Sequence, residues 1–283
     1  MGNALFIVWR ESIEAILVIG ILYAWIRERG DARIGLRHLF GGVALGIGLA
    51  ALLAAAILSV QTQLAGAALE AFQAGIVFAA AGLIVQMVFW MRRHSRGLKH
   101  ELEAGLQRAA EDRSGYAAAL LAAVAVAREG SETVLFLYGV AMEHGGSELG
   151  TLFAGALAGL VLALGTAWLI EKARKLVSWR AFFKITEALL LLLGAALVAG
   201  GVEKLIALDW LPALIDSLWD TSFVLDEAGA LGNLAASFTG YRAQPSLTLA
   251  LAYVGYWAAV WWLGRVPQSR GHGRLTPGDA NAS

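Results

Sequence analysis

The sequence contains no cysteine, and this absence excludes disulfide bonds, iron–sulfur clusters and metal sites built on thiolates. Proline is also scarce, and its four copies lie outside the predicted transmembrane helices. Because a proline inside a helix removes a backbone hydrogen bond and clashes with the preceding turn, these helices are expected to run unbroken. Charged residues make up only 16% of the chain, well below the roughly 25% of an average soluble protein.

Histidine is rare, and none of its copies lies where it could bind a metal or act as a base within a membrane. The five histidines lie outside the cores of the predicted helices. This placement excludes haem held by pairs of intramembrane histidines, a buried serine–histidine hydrolase and an H-E-x-x-H zinc site. The sequence also lacks a P-loop and a glycine-rich nucleotide fingerprint, so the chain itself is not expected to use ATP. We expect neither an enzymatic activity nor a nucleic-acid partner.

Long apolar segments dominate what is present. Hydrophobic residues make up 58% of the chain, and the mean hydropathy is +0.65. Apolar runs of about 20 residues are long enough to cross the hydrocarbon core of a bilayer as helices. The composition predicts an all-α polytopic membrane protein with seven transmembrane helices, embedded in a lipid bilayer. The predicted spans cover residues 4–26, 37–60, 70–91, 116–141, 149–170, 181–203 and 246–264.

Lysine and arginine alternate between the two sides of the predicted bundle. Residues 61–69 and 142–148 contain neither, whereas every second connection is rich in arginine, with lysine in two of them. Since cytoplasmic loops carry the excess of positive charge, we expect a multi-pass protein of the inner (cytoplasmic) membrane with its N-terminus outside and its C-terminus in the cytoplasm. The basic segments are 27–37, 92–113, 172–180 and 265–274.

Two charged runs lie in the middle of predicted spans 1 and 4. Residues 10–14 read R-E-S-I-E, and residues 128–132 read R-E-G-S-E. One charge at the bilayer centre costs roughly 2.5–3.5 kcal/mol, so these side chains should face the interior of the bundle. Four glutamates against two arginines leave a formal charge of −2. The missing partner is therefore predicted to be a cation.

The spacing within each motif suits metal binding. Glutamates three residues apart lie on one face of a helix, so four carboxylates converge if the two helices cross at the motifs. Carboxylates are hard oxygen donors that suit iron, manganese, magnesium and calcium. The alternative left open is that the motifs form salt bridges that lock the bundle. The predicted ligands are Glu11, Glu14, Glu129 and Glu132, and the motif arginines, Arg10 and Arg128, are each expected to bond a carboxylate at i,i+4.

The placement of the motifs predicts an inverted repeat. The motifs are 118 residues apart and lie in spans 1 and 4, with two spans between them, so their helices run in opposite directions. Many transporters have such repeats, with the substrate site between them near the midplane. We predict a 3+3 repeat plus one added helix within a single permease domain, residues 1–265. Its parts are repeat 1 (about 4–91), repeat 2 (about 116–203), an external loop (204–245) and helix 7 (about 246–264), followed by a flexible cytoplasmic tail (266–283).

Small residues within the helices and polar residues near the helix ends carry further predictions. The stripes Gly42-x3-Gly46 and Gly155-x3-Gly159 suit close helix packing, although small residues are common throughout this chain. Residues 205–218 mix apolar and acidic residues with tryptophan, which predicts an amphipathic helix on the outer surface. Glu70 and Glu187 are further candidates for the ion path, or else members of local pairs.

The seven spans, the external N-terminus and the paired motifs together resemble the oxidase-dependent iron transporter family. That family includes the fungal high-affinity iron permease and bacterial permeases of the EfeU type, and the resemblance covers about residues 1–265. It implies high-affinity iron uptake as Fe³⁺ or Fe²⁺, with the motif glutamates as the iron ligands. Iron is then the transported substrate, and no permanently bound cofactor is implied.

The resemblance also bears on the external loop and on partners. Family members carry an acidic motif before the last span, where this sequence has Asp220, Asp226 and Glu227 as possible residues for external loading. The family further implies periplasmic iron-oxidising partners, a cupredoxin-like protein and a haem peroxidase. Two alternatives remain: a permease for another divalent metal such as lead or manganese, or a non-transport membrane metal sensor or redox-complex subunit.

Overall fold

The computed structural model describes residues 2–28, 32–94, 116–143, 149–172 and 179–265. Within these ranges the chain forms eight helices and no strand, which confirms the predicted all-α class. The helices are α1 (Gly2–Glu28), α2 (Ala32–Gln63), α3 (Gly66–His94), α4 (Tyr116–Glu143), α5 (Leu149–Lys172), α6 (Trp179–Ala207), α7 (Ala230–Thr239) and α8 (Leu247–Arg265). The predicted tail, 266–283, lies outside the described residues.

Each of the seven predicted spans coincides with a long helix to within a few residues. Five of these helices (α2, α3, α5, α6 and α8) are long and apolar enough to cross a membrane. The other two, α1 and α4, have 27 and 28 residues and carry the charged motifs. Large apolar side chains are exposed on the outside of the bundle, among them Leu52, Phe153 and Trp262. The chain is thus a multi-pass membrane protein.

The two motif helices lie at the centre of the bundle. They contact one another, while α2 packs against α4 and α5 packs against α1. The third pair, α3 and α6, pack together, and α6 also contacts α7 and α8. Apolar side chains that are fully buried in the core, such as Ile7 and Phe136, come from the same helices as the motifs. Most of the motif residues, among them Arg10, Glu11 and Glu129, are therefore buried within the protein.

Glycines allow the helices beside the motifs to approach closely. A Cβ atom on Gly42 would clash with the backbone carbonyl of Ala119 in α4, and one on Gly46 would lie 2.7 Å from Cβ of Val126. On α5, a Cβ on Gly159 would clash with the backbone carbonyl of Leu5 in α1. Backbone contacts of this kind require a residue without a side chain. The close packing predicted for these stripes is confirmed at Gly42, Gly46 and Gly159.

The connection between α6 and α8 differs from the prediction. The amphipathic helix predicted over 205–218 is wrong, because α6 ends at Ala207 and the following residues are irregular. Asp209 and Leu214 adopt positive φ angles of 57° and 63°, which a right-handed helix does not permit, and Pro212 lies between them. The connection instead contains α7, which begins twelve residues after the end of the predicted segment.

Helix α7 lies against the interior of the bundle. Its C-terminus is capped by Gly240, whose φ of 71° favours glycine. A Cβ at Gly240 would lie 2.9 Å from Cα of Ala196 in α6. Ala196 lies roughly 16 Å along the helix axis before the end of α6, at about 1.5 Å per residue. At the other side of α7, Nδ2 of Asn3 donates to the backbone carbonyl of Ser237 at 2.9 Å. The loop thereby covers the N-terminus of α1.

Candidate functional site

The first motif is held by one fully buried arginine. Arg10 is only 1% exposed. Its Nη1 donates to Oε1 of Glu11 at 2.6 Å, and its Nη2 forms an ion pair with Glu14. The same guanidinium donates to two thioether sulfurs of α3, Met87 at 3.0 Å and Met91 at 2.7 Å. The i,i+4 pair predicted for this motif is confirmed, and the arginine holds both carboxylates of the motif.

The second motif is arranged more openly. The Arg128 side chain is 35% exposed, and its Nε donates to Oε1 of Glu132 at 3.0 Å. Its guanidinium carbon lies 4.1 Å from the ring centroid of Trp90 in α3. The predicted i,i+4 pair is again confirmed. The hydroxyls of Ser131 and Thr133 donate to the carbonyls four residues before them, which is the usual role of such residues in helices.

Three motif carboxylates converge between α1 and α4. Oxygen atoms of Glu11, Glu14 and Glu129 lie within 4.8 Å of one another. Glu132 lies outside this group, although its side chain is also mostly buried. We call the group of three the carboxylate cluster. The predicted convergence of acids from the two motif helices is thus observed for three of the four residues.

Several motif carboxylates have a buried oxygen without a hydrogen-bond partner. Glu11 and Glu129 of the carboxylate cluster and the neighbouring Glu132 have one such oxygen each. Buried carboxylate oxygens normally have a partner, since leaving one unpaired is costly. A hard cation with oxygen ligands would satisfy them, and the donor set is suited to iron, manganese, magnesium and calcium. The same donor set would suit such an ion either as a transported substrate or as a resident metal.

A small cavity adjoins the second motif. It has a volume of about 120 Å³ and is lined by residues of α3 and α4. Arg128 and Glu132 face it from α4, and Gln86 and Trp90 face it from α3. This small cavity lies on the C-terminal half of α3, and one of its lining residues, Met87, also accepts a hydrogen bond from Arg10. It provides polar space next to the ion pair of the second motif.

A larger cavity lies under the connection between α6 and α8. This loop cavity has a volume of about 640 Å³, and Asp226 and Glu227 are among its lining residues. Oε1 of Glu227 accepts the backbone N–H of Ala243 at 2.5 Å. Arg242 forms a two-pronged pair with Glu203, at 2.5 and 2.9 Å. Two of the three predicted loading residues therefore share a polar cavity next to α7.

The remaining predicted residues lie apart from the carboxylate cluster. Asp220 accepts bonds from Ser222 and from Nε2 of Gln244, and the bonds from the Ser222 side chain and backbone lower the pKa of Asp220. Glu187 pairs with Arg92 at 3.0 Å. Glu70 is exposed near the start of α3.

Residues of α3 around the motif arginines were missed by sequence reasoning. Met87, Trp90 and Met91 follow one another at i, i+3 and i+4, which puts them on one face of α3. That stripe was visible in the sequence, but it is common for a helix core. Asn3 was also missed, and its Oδ1 is buried without a hydrogen-bond partner. Only the packing of α3 and α7 against α1 reveals these contacts.

Comparison with known proteins gives a consistent result. The family model described as "Iron permease FTR1 family" matches residues 1–267. A protein named "Ferrous iron permease EfeU" from Yersinia pestis is 30% identical over 258 residues, covering 88% of each chain. The protein of the same name from Escherichia coli O6:K15:H31 is 28% identical over 264 residues, covering 92% of this chain and 91% of that protein. An uncharacterized protein from Archaeoglobus fulgidus is 29% identical over 284 residues, covering 98% and 97%. No solved structure gives a significant match.

Proposed function

The chain belongs to the iron permease FTR1 family, and on this premise we propose that it moves iron across the cytoplasmic membrane through the glutamates of its two motifs. The observation that carries the proposal is the carboxylate cluster, in which two helices bring three acids within 4.8 Å of one another. Charged side chains at this depth are costly unless they are paired or bind an ion. The motif set has a formal charge of −2 from four glutamates and two arginines, which suits a divalent cation.

The proposal includes seven spans, with α1 and α4 crossing the membrane beside the five more apolar helices. The packing supports a 3+3 inverted repeat in which α1, α2 and α3 correspond to α4, α5 and α6. Under this correspondence, the contact of α2 with α4 is equivalent to the contact of α5 with α1. The contact of α3 with α6 is unchanged under the same correspondence. The alternation of basic loops supports an external N-terminus and a cytoplasmic C-terminus.

The two cavities support a route for the ion. The loop cavity lies over the N-terminus of α1 and includes Asp226 and Glu227, which we propose as loading residues together with Asp220. From there the ion would pass along α1 to the carboxylate cluster. The small cavity lies beside the motifs and is lined by Glu132, so we propose that Glu132 releases the ion there. Glu70 and Glu187 line neither cavity and are left out of this route.

We propose Fe²⁺ as the transported form. The relatives named above are ferrous iron permeases by name, and Fe²⁺ would bring the formal charge of the motif set from −2 to zero. Family resemblance further suggests that a periplasmic cupredoxin-like protein and a haem peroxidase supply iron at the external loop. Such partners would act at the loop cavity rather than at the carboxylate cluster.

Uptake of radiolabelled iron into proteoliposomes tests the proposal. Glu14→Gln and Glu129→Gln should each abolish most uptake while leaving the protein inserted and folded. Glu70→Gln serves as the matched control, since it removes an exposed acid from α3 and should leave uptake unchanged. If both motif variants transport iron like the wild type, the motifs are structural ion pairs. Competition by manganese or lead addresses the alternative substrates, because carboxylates bind these ions as well.

A further inference from the structure

One face of α3 contacts both motif arginines. Met87 and Met91 accept hydrogen bonds from Arg10, and the ring of Trp90 lies 4.1 Å from the guanidinium carbon of Arg128. A guanidinium over the face of an indole ring is attracted by the ring quadrupole. Arg128 is therefore held between Trp90 of a neighbouring helix and Glu132 of its own.

We propose that Trp90 is a positioning residue, which holds Arg128 beside Glu132 and so keeps Glu129 available for the cation. The inference rests on the proposed function, because it assigns Trp90 to the same site. Trp90 itself does not bind the ion. Its role is to determine which carboxylate the second motif arginine neutralises.

The comparison with Arg10 explains why such a restraint is needed. Arg10 is enclosed and bonds both acids of its own motif, so it has no alternative position. The Arg128 side chain is 35% exposed and borders the small cavity, so it has room to turn. Glu129 is the next residue in the chain and has a buried oxygen without a partner. An unrestrained Arg128 would compete with the cation for Glu129.

Equilibrium binding of Fe²⁺ to the purified protein under anaerobic conditions tests this role. Trp90→Leu should weaken binding roughly 2- to 30-fold, which is the strength of a cation–π contact expressed as a change in equilibrium constant. Trp90→Phe keeps an aromatic face and should recover most of the affinity. Trp261→Leu is the matched control: it removes a ring that lies 3.5 Å from the guanidinium of Arg265, on an exposed part of α8, and it should not change binding.

A double-mutant cycle separates positioning from packing. In an Arg128→Gln background there is no guanidinium to hold, so Trp90→Leu should have no further effect on Fe²⁺ binding. If Trp90 only fills space, Trp90→Leu will weaken binding by the same factor in both backgrounds, and the inference is overturned. Wild-type affinity in the single Trp90→Leu variant overturns it too.

The same assay distinguishes this inference from the proposed function. Glu129→Gln should abolish tight Fe²⁺ binding whatever Trp90 does, because it removes a ligand of the carboxylate cluster. If Glu129→Gln binds normally, the proposed function fails together with the inference. If Glu129→Gln loses binding and Trp90→Leu does not, the proposed function stands and only the positioning role is lost.

Discussion

The two motifs have the same R-E-x-x-E pattern but different surroundings. In the first, Arg10 is 1% exposed and holds two carboxylates. In the second, the Arg128 side chain is 35% exposed, bonds Glu132 and borders a cavity. The neighbouring helix α3 creates much of this difference, because it offers two thioethers to one guanidinium and an indole ring to the other.

This difference favours a division of roles within the site. Under the proposed function, the fully enclosed Arg10 with its two carboxylate partners would make the first motif the fixed half of the site. The partly exposed Arg128 beside a cavity would make the second motif the half that can rearrange. Transport requires both, since an ion must be bound tightly enough to enter and weakly enough to leave.

The largest expected effect is the loss of Arg10. Arg10→Gln leaves Glu11 and Glu14 buried without their guanidinium, and breaking a buried pair of this kind costs about 3–5 kcal/mol. Arg128→Gln should cost clearly less, because the Arg128 side chain is 35% exposed and bonds one carboxylate rather than two. Thermal unfolding of both variants in the same detergent measures the difference. Equal destabilisation of the two variants would contradict the proposed division between a fixed and an adjustable half.

The next effect concerns the helix contacts that hold each motif in place. Gly46→Leu and Gly159→Leu should both destabilise the protein by about 1–3 kcal/mol or more, because the new side chain meets the backbone of the motif helix. Gly48→Leu is the matched control on α2, since nothing lies within 4 Å of its Cβ position. The inverted repeat predicts similar losses for Gly46 and Gly159, because each meets the corresponding residues of a motif helix, so a large effect at one position alone would weaken the proposed symmetry. Unfolding in detergent compares the three variants.

Smaller changes are expected at the thioethers that contact Arg10. Met87→Leu and Met91→Leu keep most of the volume and should alter stability by less than about 1.5 kcal/mol, because two carboxylates still hold the guanidinium. Iron uptake should then stay within a few-fold of wild type, unlike that of Trp90→Leu. Uptake assays on these variants therefore compare the two arginines directly. Loss of uptake in Met87→Leu would show that Arg10 also depends on α3 for its position.

The smallest expected effect lies in the loop near the first motif helix. Ser222→Ala removes the hydroxyl bond that contributes most to the lowered pKa of Asp220, so this pKa should rise toward the usual value of about 3.9. Because Asp220 then loses its charge at a higher pH, uptake should begin to fall slightly earlier as the external solution is acidified. Ser217→Ala, whose hydroxyl donates to the carbonyl of Trp219, should leave the profile unchanged. Identical profiles for all three proteins would argue against loading by Asp220.

Local sequence rules predicted the helices and the pairs within each motif. Apolar runs of membrane length indicated all seven long helices, and the i,i+4 spacing indicated the bonds of Arg10 to Glu14 and of Arg128 to Glu132. Both follow from the geometry of a single helix. The number of membrane crossings is harder to read from apolarity alone. The charged motifs lower the mean hydropathy of α1 and α4, although most of these charged side chains are buried in the bundle.

Contacts between distant segments were not predictable in this way. Met87 meets Arg10 across 77 positions of sequence, and that contact depends on how α3 is rotated and shifted against α1. The loop was misjudged for a related reason. Its apolar pattern over 205–218 suits a helix, but the backbone turns at Asp209 and Leu214, and α7 forms where the chain packs against α1 and α6.

X-ray absorption at the iron edge of the Fe²⁺-loaded protein tests the central claim most directly, because it identifies the atoms that bind the ion. The account predicts a first shell made of oxygen atoms only, and loss of the bound iron in Glu129→Gln. A spectrum that shows sulfur ligands from Met87 or Met91, or one that is unchanged in Glu129→Gln, would contradict the assignment of the ion to the carboxylates of Glu11, Glu14 and Glu129.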